Sequence, residues 1–308
     1  MQGLALSKAY YEQCGRPMLE AQFGDVLDRI AVGFAGPGSD RFGFDDDVSR
    51  DHECGAGFCL WLTDEDDEAF GFQLTRAYAR LPLLFEGVEK APVSPKCAAR
   101  CGVMTIGEFF RPLTGTDGAP ETNEQWLAAP DASLAAAVNG CVFADPLGRF
   151  TAIRTQILTG MPEDVRLKKL AARAVTAAQS GQYNYARCIA HGEPAAAMLA
   201  LAEFVQNACA MIYLLNRRFA PFYKWMLRGM EALPVLGALR APLSALLTDP
   251  APPEEKEAEI ERICGAIAAQ LRADGLTRSP SDFLEPHAYE IQRKIQDPAL
   301  RQLHIMEG

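Results

Sequence analysis

No apolar run in this 308-residue sequence approaches the roughly 20 uninterrupted residues that span a bilayer. The densest stretch, Ala195 to Leu215, is broken by Glu203, Gln206 and Asn207 and reads as a buried helix. The chain does not open with a basic start, an apolar middle and a small-residue cleavage site, so no secretory leader is expected. A basic surplus is missing too. The 30 Lys and Arg against 40 Asp and Glu give a net charge of -10, which argues against non-specific nucleic-acid binding, an affinity built on cations that neutralise phosphates. Nine cysteines are an odd number scattered without tight pairing, so a reducing cytoplasm is expected rather than a disulfide framework. Cys97 and Cys101 could meet on one helical turn, but zinc gathers four ligands and there is no second pair. The Gly-Lys-Ser/Thr ending of a phosphate-binding loop is absent, and Arg41 stands where a dinucleotide fingerprint needs its third glycine. His191, His287 and His304 have no partner pattern and read as structural or surface residues.

What is present centres on Ala31 to Leu62. A short apolar run, Ala31 to Ala35, breaks into a Gly36-Pro37-Gly38-Ser39 turn, and an Asp-rich loop then leads to Asp51-His52-Glu53. Read as a strand from Asp51, the alternation puts Asp51, Glu53, Gly55, Gly57, Cys59 and Trp61 on one face and His52, Cys54, Ala56, Phe58, Leu60 and Leu62 on the other. Two carboxylates on one strand face suit magnesium, a hard cation that takes few protein oxygens and shares substrate phosphates. Glycines in the preceding turn let backbone N–H groups approach a phosphate. Asp45, Asp46 and Asp47 are rival ligands, read as loop or capping acids. Arg50 offers a fork of donors that could reach a phosphate.

Gly38-Ser39, eleven residues, then Asp51-His52-Glu53 resembles the signature of the polymerase-beta-like nucleotidyltransferases. More narrowly, GPGSDRFGFDDDVSRDHECG is similar to the nucleotidyltransferase-like proteins grouped as domain of unknown function 4037, as are GQYNYAR (Gly181 to Arg187) and LLNRRFAPFYKW (Leu214 to Trp225). The resemblance implies an α+β protein, with a nucleotidyltransferase-type mixed sheet and flanking helices over residues 1–160 and an all-helical bundle over 161–308. It implies transfer of a nucleoside monophosphate from a nucleoside triphosphate, ATP foremost, to an unidentified acceptor hydroxyl. In that reading Asp51 and Glu53 are catalytic and hold Mg2+, Gly38, Ser39 and Arg50 bind the triphosphate, and Lys224 adds a point charge from the helical domain. Lys224 also fits a plain surface lysine. Tyr183, Asn184 and Arg187 are candidates for the acceptor.

Two positions depart from the pattern. His52 separates the acids where an apolar residue is usual, and reads as a ligand, a phosphate contact or a polar loop residue. A third acid is expected on a later strand, Gly102 to Ile106, yet Met104 stands there and Glu108 lies beyond it. Without that acid, chemistry that stabilises both attacking and leaving oxygens is weakened. The alternative is therefore a catalytically inactive nucleotide-sensing or protein-interaction module on the same fold. A protein partner stays open, and no membrane is expected.

The remaining pattern is coarse. Helices are expected at Leu4–Gln13, Met18–Ile30, Ala69–Leu81 and Trp126–Val138, and strands at Val103–Ile106 and Cys141–Ala144, the latter closed by an Asp145-Pro146-Leu147-Gly148 turn. Residues 112–122 read as a loop, and Asp64 to Glu68 as a solvated helix start. Beyond residue 160 strand signals vanish and Ala/Leu-rich helices follow, several opening at a proline.

Overall fold

The computed structural model describes residues 2–46, 55–90 and 101–308. Two compact units emerge, one from Met1–Glu121 with Ser133–Gly160, the other from Thr122–Ala132 with Met161–Gly308.

The first unit opens with α1 (Gly3–Tyr10), a π-helical turn (Tyr11–Gly15) and α2 (Arg16–Gln22). The helix expected from Met18 to Ile30 stops at Gln22. Phe23 leaves helical dihedrals at φ -135°, and Gly24–Arg29 continues as 3₁₀ helix, starting on two poor helix formers, Gly24 and Asp25. β1 (Ala31–Phe34) and the four-residue α3 (Ser39–Phe42) follow, then β2 (Cys59–Leu62), α4 (Asp64–Asp66) and α5 (Phe72–Ala79). A small hairpin, β3 (Leu84–Phe85) with β4 (Val88–Glu89), precedes β5 (Gly102–Thr105) and α6 (Ile106–Thr114). Pro112, expected in a loop, lies inside α6, which ends at Gly115 in the left-handed region. The single helix expected from Trp126 to Val138 is two, α7 (Asn123–Ala128) and α8 (Asp131–Val138), because Pro130 disfavours helical dihedrals in the residue before it. β6 (Cys141–Ala144) and α9 (Arg149–Gly160) complete this part of the chain.

Four strands form a mixed sheet in the order β5-β2-β1-β6. β1 runs antiparallel to both β2 and β6, whereas β2 and β5 are parallel. The alternation expected in β2 is present, but both faces are buried. Phe58, Leu60 and Leu62 join Tyr10, Leu19, Leu74 and Tyr78 in the main core. On the other side Trp61 stacks on Phe150 at 3.7 Å and meets Phe109 edge-on at 5.4 Å. The acidic run is not wholly solvated: Thr63 caps it through the Asp66 N–H, and Asp66 is buried in an ion pair with Arg29.

The second unit is helical: α7, α10 (Glu163–Ala177), a π-helical segment (Ala178–Tyr185), α11 (Ala186–Ala190), α12 (Pro194–Leu215), α13 (Tyr223–Gly229), α14 (Arg240–Thr248), α15 (Pro253–Ala273), α16 (Leu284–Arg293) and α17 (Pro298–Gln302). Pro194, Pro253 and Pro298 occupy first-turn positions, where a missing N–H costs no helical hydrogen bond. α10 packs on α12 and α16 and carries two buried lysines. Lys168 Nζ donates to Gln292 Oε1 (3.1 Å) and the His304 carbonyl (2.7 Å), while Lys169 Nζ reaches Asp131 Oδ1 at 2.6 Å and the Ala129 carbonyl at 3.0 Å. Among the described residues α12 is the one helix long and apolar enough to cross a membrane, and 67% of its most apolar window is buried within the protein. With its mixed four-stranded sheet and helical second unit, the chain is α+β.

Trp61 is the sheet's largest fully buried side chain, so Trp61→Ala is expected to destabilise the first unit by about 3–5 kcal/mol. Urea unfolding followed by fluorescence and circular dichroism measures that loss.

Candidate functional site

Strand register gathers several starts and ends at one end of the sheet. Gly33 pairs with Cys59, Phe34 with Cys141, and Cys59 with Gly102, so the end of β1 meets the beginnings of β2, β5 and β6. Here the chain leaves β1 through Gly36-Pro37-Gly38-Ser39. Asn139 clamps this turn from both sides: the Gly36 N–H donates to Asn139 Oδ1 at 2.9 Å, and Asn139 Nδ2 donates to the Gly36 carbonyl at 2.8 Å. Gly140, at φ 67°, starts β6 so close to β1 that a Cβ would collide with the Phe34 carbonyl. Gly38, at φ 142°, has the Asp40 carboxylate and the Arg41 guanidinium where its own Cβ would be.

That charged pair is the buried backing of the turn. Asp40 and Arg41 are each 3% exposed. Arg41 Nη1 donates to both Asp40 oxygens at 2.8 Å, and the guanidinium lies 4.1 Å from the Phe34 ring centroid. Arg41 Nη2 reaches Cys101 Sγ at 3.5 Å. The Cys59 thiol, donating to Cys101, holds the Cys101 thiol below its ordinary range with help from Arg41, against the upward push of burial. The same bond, together with burial, pushes Cys59 well up. Ser39 is half-buried, and its hydroxyl makes no hydrogen bond among the described residues.

Of the expected site residues, Gly38 and Ser39 sit together in this turn. Arg50, Asp51 and Glu53, with Asp47, Ser49 and His52, lie outside the described residues. The described carboxylates do not make a magnesium site. No group of three His, Cys, Asp or Glu among them could hold a metal ion. Asp40 is held by Arg41, and Asp45 Oδ2 accepts the Gly3 N–H at 2.8 Å. Met104 is buried on β5. Glu108 is tied into a capping box, accepting the Thr105 N–H at 2.9 Å while its own N–H donates to Thr105 Oγ1 at 3.1 Å. It also stands at the wrong end of the sheet: Thr105 pairs with Leu62, and the adjacent Trp61 pairs with Ala31, where β1 begins. Asp145 is at that far end too, in its turn, where Oδ2 accepts the Thr151 N–H at 2.7 Å.

The remaining candidates are in the second unit. Lys224 is exposed on the first turn of α13, with no ion pair among the described residues. Its neighbours Phe222 and Tyr223 are exposed aromatics whose ring centroids are 4.4 Å apart. Asn216 instead braces a loop, exchanging hydrogen bonds with the Val235 backbone at 2.8 and 3.0 Å. Arg217 pairs with Glu163 at 3.0 Å. In GQYNYAR, Gln182 binds Glu261 and the Leu284 N–H, while Arg187 sits 5.0 Å from the exposed Tyr183 ring.

Asn139 and Asp40 carry no site signal in the sequence, and Arg41 enters there only as the residue that breaks a dinucleotide fingerprint. Asn139-Gly140 is a turn dipeptide that marks the position but not its partner 103 residues away.

The fold and turn define an α+β chain with a glycine turn at the end of a central strand. Residues 126–226 match the family described as Domain of unknown function (DUF4037). The match takes in GQYNYAR, β6 and all of LLNRRFAPFYKW, and leaves out the Gly36–Ser39 turn. No curated protein and no solved structure matches the chain.

Asn139→Ala leaves the Gly36 N–H and carbonyl without their partners, an expected loss of about 1–3 kcal/mol. Hydrogen exchange reads it locally: the Gly36 amide exchanges markedly faster, while amides of the second unit keep their rates.

Proposed function

We propose that the first unit binds a nucleoside triphosphate at the Gly36–Ser39 turn and transfers its nucleoside monophosphate to an acceptor hydroxyl. One observation carries this reading. The turn lies at the end of central strand β1, beside the entry into β2, and the chain reaches that entry from Asp51 and Glu53. Glycine at 36 and 38 lets backbone donors approach a phosphate, and the Asp40–Arg41 pair behind them keeps the turn rigid. In the reaction, the acceptor oxygen bonds to the α-phosphorus as the bond to the bridging oxygen breaks. Pyrophosphate leaves with that electron pair, and the hydroxyl proton passes to solvent or a base. Asp51 and Glu53 are the residues assigned to Mg2+, whose role is to neutralise phosphate charge. Lys224, in the second unit, is not drawn on.

A second reading, nucleotide sensing without turnover, is favoured by buried Met104 and by Glu108, which is committed to its capping box. Calorimetric titration with non-hydrolysable ATP and GTP analogues, with and without magnesium, tests the shared part. Binding is expected only with magnesium. It should be lost in Asp51→Asn and weakened at least about tenfold in Gly38→Ala, whose methyl group displaces the turn. No binding by the folded wild type overturns both readings. Pyrophosphate release from ATP across a panel of hydroxyl acceptors separates them, since a sensor binds and releases none.

A further inference from the structure

β6 ends the four-stranded sheet, and among the described residues it pairs only with β1. Its sequence, Cys141-Val142-Phe143-Ala144, has no charge and no proline, and none of the four residues is buried. Proteins normally guard such an edge with a charge, a proline or a covering segment, because its unpaired N–H and C=O groups are a template for another strand. A groove of ≈ 760 Å³ runs beside it, lined by all four β6 residues and by the helical run of α1 and α2. Consecutive strand residues point to opposite faces of a sheet, so a groove that touches all four follows the strand's edge.

The helical wall of this groove presents Lys8, Glu12, Arg16 and Glu20, charges that alternate in sign every four residues. Within one chain they form two exposed pairs, Lys8–Glu12 at 3.8 Å and Arg16–Glu20 at 2.8 Å. Read backwards, the row plus-minus-plus-minus becomes its own complement. An antiparallel copy centred between Glu12 and Arg16 sets each Lys8 against a Glu20 and each Glu12 against an Arg16. A two-fold axis perpendicular to the sheet reverses strand and helix alike and keeps each face of the sheet on its own side, so it permits this alignment alongside antiparallel β6–β6 pairing.

We propose that the β6 edge and the Lys8–Glu20 charge row form the interface of a homodimer, whose occupant is a second copy of this chain. The strand supplies main-chain hydrogen bonds, and the charge row fixes direction and register. A four-residue strand alone specifies register weakly, and the self-complementary row singles out an identical partner over an unrelated extended peptide.

Sedimentation equilibrium of the full chain, with hydrogen exchange over residues 141–144, tests the interface. The wild type is expected to dimerise, and its β6 amides to exchange more slowly as concentration rises. Arg16→Glu turns two symmetry-related contacts repulsive and should weaken the dimer at least about tenfold, while circular dichroism confirms the fold. Combining Glu12→Arg with Arg16→Glu gives plus-plus-minus-minus, again self-complementary in reverse, and should restore the dimer. A wild type monomeric at every concentration overturns the proposal. So does a dimer indifferent to Arg16→Glu, or one that the double exchange fails to restore.

Discussion

Burying a guanidinium costs several kcal/mol unless its charge is compensated in place, and Arg41 finds its counter-charge on the adjacent residue. With Asp40 on one side, the Phe34 ring against its face and Cys101 Sγ within reach, Arg41 ties the end of β1, the α3 turn and the start of β5 to one point. The course of the glycine turn follows from this. Gly38 has no room for a side chain because the ion pair fills that space, and Gly36 is clamped from the other direction by Asn139. A turn held from both sides presents its backbone in one geometry, which a phosphate site requires. The pair thus does for the turn what a second shell of hydrogen bonds does for a metal ligand: it removes conformations.

Short apolar strands with clear turn chemistry were legible in the sequence. Cys141–Ala144 matches its expected limits, and the expected Val103–Ile106 strand is displaced by one residue because Thr105-x-x-Glu108 starts a helix there. That capping box is a sequence pattern in its own right, and it claims the very acid that spacing offered as a metal ligand. Prolines worked in both directions. Pro130 divides a helix whose periodicity looks continuous, whereas Pro112, which suggested a loop, sits inside α6 where apolar Phe109, Phe110 and Leu113 hold that helix on the core. In each case packing or backbone sterics outweighed composition.

The candidate site was legible only where its chemistry is local. Gly36 to Ser39 announce a turn through their own dihedral needs, so four adjacent letters suffice. Asn139 is separated from Gly36 by 103 residues, and no periodicity links them. Asp40 and Arg41 look like solvated loop charges in sequence, because burial of a charged pair depends on what packs around it, here Phe34 and the thiols of Cys59 and Cys101. The alternation of β2 was readable, but that both its faces are buried was not: the covering aromatics, Phe109 and Phe150, come from far along the chain.

Strand polarity constrains the chemistry more than the identity of any single acid does. Because β5 runs parallel to β2, its first residues lie at the turn and its last ones about 10 Å away along the strand. An acid that follows β5, such as Glu108, therefore cannot join a site at the turn, whatever its spacing in sequence. At the turn end β5 begins with Gly102, and Cys101 just before it is already engaged by Arg41 and Cys59. Among the described residues of the loop after β1, Asp40 and Asp45 are held by Arg41 and the Gly3 N–H. Binding a triphosphate needs the turn and one charge-neutralising pair, whereas transfer needs stabilisation of attacking and leaving oxygens together. Toward the triphosphate binding proposed above, the described scaffold offers the turn, while Asp51 and Glu53, the pair assigned to charge neutralisation, lie outside the described residues. Transfer depends on acids that the parallel β2–β5 pairing keeps from arriving along β5.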